Sequence, residues 1–119
     1  MERVTFIQHK GAEILFLDFS GCKTAEVHPV IEKATAVIAS RPEKSLLTLV
    51  NVTDMRFDDA LTRRMKAFTV HNKPYVRASA VVGVTGIKKI MFQAILHFSK
   101  RKLHAFDTLD QAKDWLATN

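Results

Sequence analysis

Strand-like and helix-like apolar patterns alternate along almost the whole chain, and this alternation is the strongest constraint on its fold. Residues 12–19 are apolar on both faces for most of their length, which is typical of a strand in the centre of a sheet. Residues 4–8 alternate between two faces and reach that strand through Lys10-Gly11, a sequence that predicts a turn. The chain is therefore predicted to begin with an antiparallel hairpin.

Helical spacing of apolar residues predicts four helices after this hairpin. The first begins either at Thr24 or near Pro29, because proline is awkward inside a helix. The second follows Asp58 and Asp59, whose carboxylates suit the positive end of a helix, and the fourth begins at the capping-box pattern of residues 108–111. The third begins at about residue 87, and its predicted core stripe is Ile87, Ile90, Met91, Ala94, Ile95 and Phe98.

Three further strands are predicted at residues 45–52, 75–84 and 103–106. The order of elements is then β-β-α-β-α-β-α-β-α. Strands and helices that alternate at this spacing imply right-handed crossovers and a mostly parallel sheet, with the first strand antiparallel. The fold class is α/β, and residues 1–119 are predicted to form one domain because neither a linker nor an internal repeat is visible.

Composition narrows the class of protein further. Cys22 is the single cysteine, which rules out a disulfide within the chain, and no apolar run approaches the ~18 residues of a membrane-spanning helix. The first residues lack the pattern of a signal peptide, so we expect a cytoplasmic protein. The five histidines show no metal-binding spacing, and neither a G-x-S-x-G motif nor an acid/base pair is evident. We expect no metal, no cofactor and no enzymatic activity.

A family resemblance emerges from the element order and from two strands. GAEILFLDF at residues 11–19 and LTLVNVT at residues 47–53 resemble the STAS domain, the fold of bacterial anti-sigma-factor antagonists and of the cytoplasmic tails of sulfate transporters. FTVHNKPYV at residues 68–76, followed by VVGVTG at residues 81–86, is similar to small stand-alone bacterial proteins labelled STAS-like. The resemblance covers nearly the whole chain and implies a regulatory or binding module.

The resemblance also implies where this chain departs from the family. STAS antagonists carry a phosphorylatable serine at the start of the helix after the third strand, typically within an Asp-Ser-Ser-Gly run. The corresponding stretch here is FDDAL at residues 57–61, with Asp59 or Ala60 at the serine position. Switching by a kinase at that position is therefore not expected, although Thr53 and Thr62 lie nearby as weaker phosphoacceptors.

Polar and glycine residues follow the predicted parallel strands, at the edge where open α/β sheets tend to bind ligands. Glycines before a helix allow an anion to approach the backbone amides, and two lysines add positive charge; alternatively, the glycines only form the turn. The candidate binding residues at this edge are Asn51, Thr53, Asp54, Asp58, Asp59, Gly83, Thr85, Gly86, Lys88 and Lys89.

Phe92 and Leu96 form a second candidate site on the flank of the third helix. They are followed by the basic residues 100–102. This flank is predicted to be a partner or dimer face, the wall of an apolar groove, a membrane-surface contact, or a helix buried on two sides.

The formal net charge is +6, which raises the question of acidic partners. Nucleic-acid binding is not favoured, because no recognition motif is visible and most aromatic residues occupy core positions. The leading hypothesis is a STAS-like module that binds a protein or a small ligand near residues 51–61 and 83–89. The alternative is a carrier or sensor of a lipid, an acyl chain or another apolar ligand, because some small STAS-like proteins resemble lipid-transfer domains.

Overall fold

A computed structural model describes residues 2–99 and 103–119, with residues 98 and 99 described as backbone. It is an α/β domain whose elements follow the predicted order. The elements are β1 (Val4–His9), β2 (Ala12–Asp18), α1 (Thr24–Ala39), β3 (Leu46–Asn51), α2 (Asp59–Asn72), β4 (Val76–Val82), α3 (Lys88–Ser99), β5 (Leu103–Phe106) and α4 (Leu109–Ala117).

The five strands form one mixed sheet in which spatial order equals chain order. β1 is antiparallel to β2, and every later pair is parallel. Because the chain never reverses direction across the sheet, successive right-handed crossovers place α1, α2 and α3 on the same sheet face. Their buried residues form one core cluster, whereas α4 packs in a second cluster on the opposite face. The fold class and element order are therefore confirmed.

Side-chain caps explain where three of the helices begin. α1 begins at Thr24, with the Lys23 backbone N–H donating to Glu26 Oε1 at 2.9 Å, so the earlier of the two predicted starts is correct. Asp58 Oδ1 accepts from the Leu61 amide at 2.8 Å, and Thr108 accepts from the Gln111 amide in the same way. Both caps were predicted from the sequence.

The inward face of α3 differs from the prediction. Met91 and Ile95 are buried as expected, but Ile87 and Ile90 are 70% and 72% exposed, so their predicted place in the core is wrong. Phe92 is buried instead. The predicted stripe and the stripe that contains Phe92 are adjacent on the helix. Turning Phe92 inward removes more apolar surface from water than turning Ile90 inward. The predicted core position of Phe98 falls outside the described side chains.

Candidate functional site

The loops at the carboxyl ends of the strands lie together, as the sequence predicts. The Gly21 amide, after β2, donates to the Thr53 carbonyl oxygen at 2.9 Å, after β3. Gly83, after β4, adopts a φ of +95° and lies so close to Thr53 that a Cβ would be 2.5 Å from the Thr53 nitrogen. These contacts hold three loops at one edge of the sheet.

Some of the polar side chains at this edge stabilise the loops. Asn51 Oδ1 accepts from both the backbone N–H and the hydroxyl of Thr53, at 3.1 and 2.6 Å. Asp58 caps α2. Asp54 and Asp59 are exposed, and Asp54 has a φ of +56°. The predicted residues of the β3–α2 loop therefore come together, with Asn51, Thr53 and Asp58 bonded within the loop and Asp54 and Asp59 exposed.

The β4–α3 turn also uses its own amides. The N–H groups of Lys88, Lys89 and Ile90 each donate to the carbonyl three residues earlier, at 3.1 Å. Thr85, Gly86 and Lys89 are exposed. An anion at this turn would be held by lysine side chains rather than by these three amides.

The strand order bears on ligand binding at this edge. In doubly wound sheets, ligands bind where the strand order reverses and neighbouring loops separate. Here the order β1-β2-β3-β4-β5 contains no reversal. This edge therefore lacks the topological switch point at which such sheets usually bind ligands.

A cavity of about 60 Å³ lies between the sheet and the layer formed by α2 and α3. Most of its wall is apolar, contributed by four strands and both helices. Its lining residues are Leu17, Thr48, Val50, Val52, Met65, Phe68, Thr69, Asn72, Ser79, Val81, Val84, Lys88, Met91, Phe92, Ile95 and Leu103.

Four polar residues interrupt this apolar wall. Thr48 and Ser79 are partners in the β3–β4 register, and their hydroxyl oxygens are 2.6 Å apart. Thr69 donates to the Met65 carbonyl oxygen at 2.8 Å, and Asn72 is buried one turn later on α2. The cavity is thus an apolar chamber with hydroxyl and amide groups in part of its wall.

Lys88 marks the other end of the chamber. α2 begins at the carboxyl edge of the sheet and returns to the amino edge at Asn72, whereas α3 begins at the carboxyl edge with Lys88. Lys88 is half-buried and lines the cavity, in contrast to the exposed Lys89. The chamber therefore has Lys88 at one end, an apolar middle and uncharged polar groups towards the other end.

Phe92 and Leu96 face inward. Phe92 lines the cavity and is 9% exposed, and Leu96 is half-buried against the same core. Their position agrees with the groove-wall interpretation and with burial on two sides, and it leaves little of Phe92 for a partner or dimer face. The basic residues 100–102 lie outside the described part of the chain.

Cys22 and the histidines add no second site. Cys22 is fully buried, and burial raises the pKa of its thiol, which disfavours the reactive thiolate. Across residues 2–99 and 103–119, no group of three or more histidine, cysteine, aspartate or glutamate residues is placed to hold a metal ion. No helix in this described part is long and apolar enough to cross a membrane.

Comparison with known proteins adds no assignment: no family model, curated protein or solved structure matches the chain.

Sequence reasoning missed the polar residues of the chamber. Thr48 and Ser79 are polar residues within mostly apolar strands, and this was a usable signal of a polar group in the wall. A buried hydroxyl needs a hydrogen-bond partner. Thr69 and Asn72 are buried on the inner side of α2, together with the apolar residues Leu61, Met65 and Phe68.

Proposed function

We propose that this protein binds a small amphipathic molecule, an apolar body with an acidic head, in the chamber between the sheet and the α2–α3 layer. The observation that carries the proposal is the chamber's polarity pattern. Leu17, Val50 and Val81 provide an apolar floor, and Lys88 lies at the carboxyl-edge end. A carboxylate beside Lys88 would form a charge-assisted contact, while the chain would replace water against the apolar wall.

The size of the chamber limits the ligand. One water needs roughly 10–15 Å³ on the same measure, so about 60 Å³ accommodates only a few heavy atoms beyond the head group. Short-chain carboxylates match this size, and a longer acyl chain would require α3 to move outward. This proposal favours the carrier or sensor alternative over the other interpretations of the sequence.

A binding role without catalysis is part of the proposal. The lining residues include three hydroxyl groups that are already hydrogen-bonded, one side-chain amide and one amine. None of the lining residues described is a histidine, a cysteine or a carboxylic acid. General acid–base chemistry usually relies on such groups.

The first experiment is native mass spectrometry of freshly purified protein, compared with the denatured mass. A retained non-covalent adduct supports the proposal and identifies the ligand. It is followed by ¹H–¹⁵N NMR titration with hexanoate and with 1-hexanol, two probes that share a chain and differ in charge. We expect saturable shifts in amides around the chamber, and tighter binding of hexanoate.

A matched pair of lysine variants makes this test specific. Lys88→Met should remove the preference for hexanoate over hexanol and leave hexanol binding largely intact. Lys89→Met is the control, since Lys89 neighbours Lys88 in sequence but is exposed and does not line the chamber. An unchanged preference in Lys88→Met, or shifts scattered over the surface without saturation, contradicts the proposal.

A second candidate is protein binding at the β3–α2 loop, as the STAS resemblance implies. Its support is the exposure of Asp54, Asp58 and Asp59, which present three carboxylates within six residues to a basic partner. An Asp54→Asn/Asp59→Asn variant should lose that partner and retain hexanoate binding, which separates the two functions.

A further inference from the structure

The charge of this protein is divided unevenly along the chain. Residues 60–106 contain ten lysine and arginine residues and no aspartate or glutamate, whereas the rest of the chain contains eight basic and twelve acidic residues. The positive net charge therefore comes entirely from the segment that forms most of α2, together with β4, α3 and β5. Three of these basic residues, at 100–102, lie outside the described part of the chain.

The exposed apolar side chains lie in the same segment. Among the described residues, the large apolar side chains that are substantially exposed are Val70, Ile87 and Ile90. Ile87 and Ile90 are three residues apart at the beginning of α3, with exposed Lys89 between them. Arg63, Lys66 and Val70 line a shallow groove on α2, in the same helical layer.

We propose that the exposed tip of α3, formed by Ile87, Lys89 and Ile90, docks on the surface of an anionic lipid bilayer. Two protruding isoleucines flanked by lysine suit insertion at the boundary between headgroups and acyl chains, with the cation at the level of the phosphates. Arg63 on α2 adds positive charge to the same layer. The complementary charge of anionic headgroups identifies the occupant of this surface.

The chemistry of the exposed side chains favours a bilayer over nucleic acid. Proteins that bind single-stranded nucleic acid stack bases on aromatic rings, and the exposed large side chains described here are aliphatic. α3 spans twelve residues, about 18 Å, so it would lie at the interface rather than cross the bilayer.

Bilayer docking goes beyond the proposed ligand and is tested separately. Docking and ligand binding are compatible, because α3 forms both the docking tip and a wall of the chamber. The assay is flotation of the full chain with vesicles of phosphatidylcholine containing one-third phosphatidylglycerol, and with pure phosphatidylcholine. We expect binding to the anionic vesicles only, falling steeply as salt is raised.

Two variants address the two parts of the surface. Ile87→Ser/Ile90→Ser should reduce vesicle affinity at least tenfold with little change in the melting temperature, because both side chains are mostly exposed. Arg63→Gln/Lys89→Gln should also reduce it at least tenfold and flatten the salt dependence. The matched control is Lys23→Gln/Lys44→Gln, which removes the same charge from exposed positions in the acidic part of the chain and should bind like the wild type.

Three results would overturn the inference. The first is that the wild-type protein does not float with anionic vesicles at low salt. The second is that the control variant loses as much vesicle affinity as Arg63→Gln/Lys89→Gln. The third is that Ile87→Ser/Ile90→Ser binds vesicles with unchanged affinity. Retained binding to a single-stranded oligonucleotide without vesicle binding would assign the basic surface to nucleic acid instead.

Discussion

The hydroxyl oxygens of Thr48 and Ser79 lie 2.6 Å apart on neighbouring strands, with both residues almost fully buried. Each hydroxyl satisfies the other in a wall that is otherwise apolar, and a buried polar group without a partner is costly. The pair therefore stabilises the sheet and keeps two polar atoms at the chamber wall.

Removing both hydroxyls of this pair should destabilise the protein by less than the sum of the two single removals. Thr48→Val or Ser79→Ala leaves the other hydroxyl buried without its partner, which we expect to cost about 1–3 kcal/mol in free energy of unfolding. The double variant should cost less than the sum of the singles, with a coupling of about 1 kcal/mol. Urea denaturation measures all four proteins, and strictly additive costs would show that the hydrogen bond contributes nothing.

A methyl group at Gly83 should be much more damaging than one at Gly11. Both glycines have positive φ, and adopting it with a side chain costs roughly 1–2 kcal/mol. At Gly83 the added Cβ would also meet the Thr53 backbone at 2.5 Å, whereas at Gly11 nothing lies within 4 Å. We expect Gly83→Ala to destabilise by ~1–3 kcal/mol more than Gly11→Ala in urea denaturation. Equal losses would mean that the two loops are not held in contact.

The fold could be predicted from sequence because periodicity reports burial directly. The two-sided apolar strand at residues 12–19 and the cap at Asp58 each specify a local structure with few alternatives. The inward face of α3 was harder to predict. Ile87 and Phe92 are both apolar, and they belong to overlapping stripes that are offset by one residue. Which of them turns inward depends on the packing of the whole helix against the sheet.

The chamber could not be predicted, because it arises from how far apart two layers lie. Period-two alternation places Thr48 on the same sheet face as Val50, but only the β3–β4 register brings Thr48 beside Ser79. A strand-end crevice also depends on strand order, and the strand-end site stays a prediction. Local patterns do not report strand order, so the absence of a reversal in β1-β2-β3-β4-β5 could not be predicted.

Acid should weaken the contact between β1 and α4. Asp114 Oδ1 lies 2.7 Å from His9 Nε2 and 2.9 Å from Lys10 Nζ, and the hydrogen bonds from His9 and then Lys10 lower the Asp114 pKa below its ordinary 3.8. A carboxyl whose pKa is lowered on folding contributes stability above the unfolded value, and that contribution is lost as the pH falls through the folded value.

The corresponding prediction compares the unfolding free energy at pH 3 and pH 7. Asp114→Asn should be less stable than the wild type at pH 7. The difference should be smaller at pH 3, because the carboxyl of the unfolded chain, with its ordinary pKa of 3.8, is then largely protonated, and protonation of the unfolded chain removes part of the stability that the lowered pKa of the folded state contributes. Asp110→Asn, one turn earlier on α4, is the control, since the described residues give Asp110 no ion pair. A difference that is the same at both pH values would assign the effect to something other than this carboxylate.

Filling the chamber should stabilise the protein and exclude its ligand. Val81 and Val82 are successive residues of β4, both nearly buried, but Val81 lines the chamber and Val82 packs in the opposite cluster with α4. In Val81→Ile, the added methylene enters empty space and should raise the free energy of unfolding by up to about 0.8 kcal/mol. In Val82→Ile, the same group enters a packed region and should lower it by roughly 1 kcal/mol or more.

The ligand titration separates packing from binding in this same pair. Val81→Ile should weaken hexanoate binding because the added methylene occupies part of a space of only about 60 Å³. Val82→Ile, measured under conditions where it remains folded, should bind hexanoate like the wild type. If Val81→Ile destabilises the protein as much as Val82→Ile, the space beside Val81 is not open to a ligand, and the amphipathic-ligand function loses its structural basis.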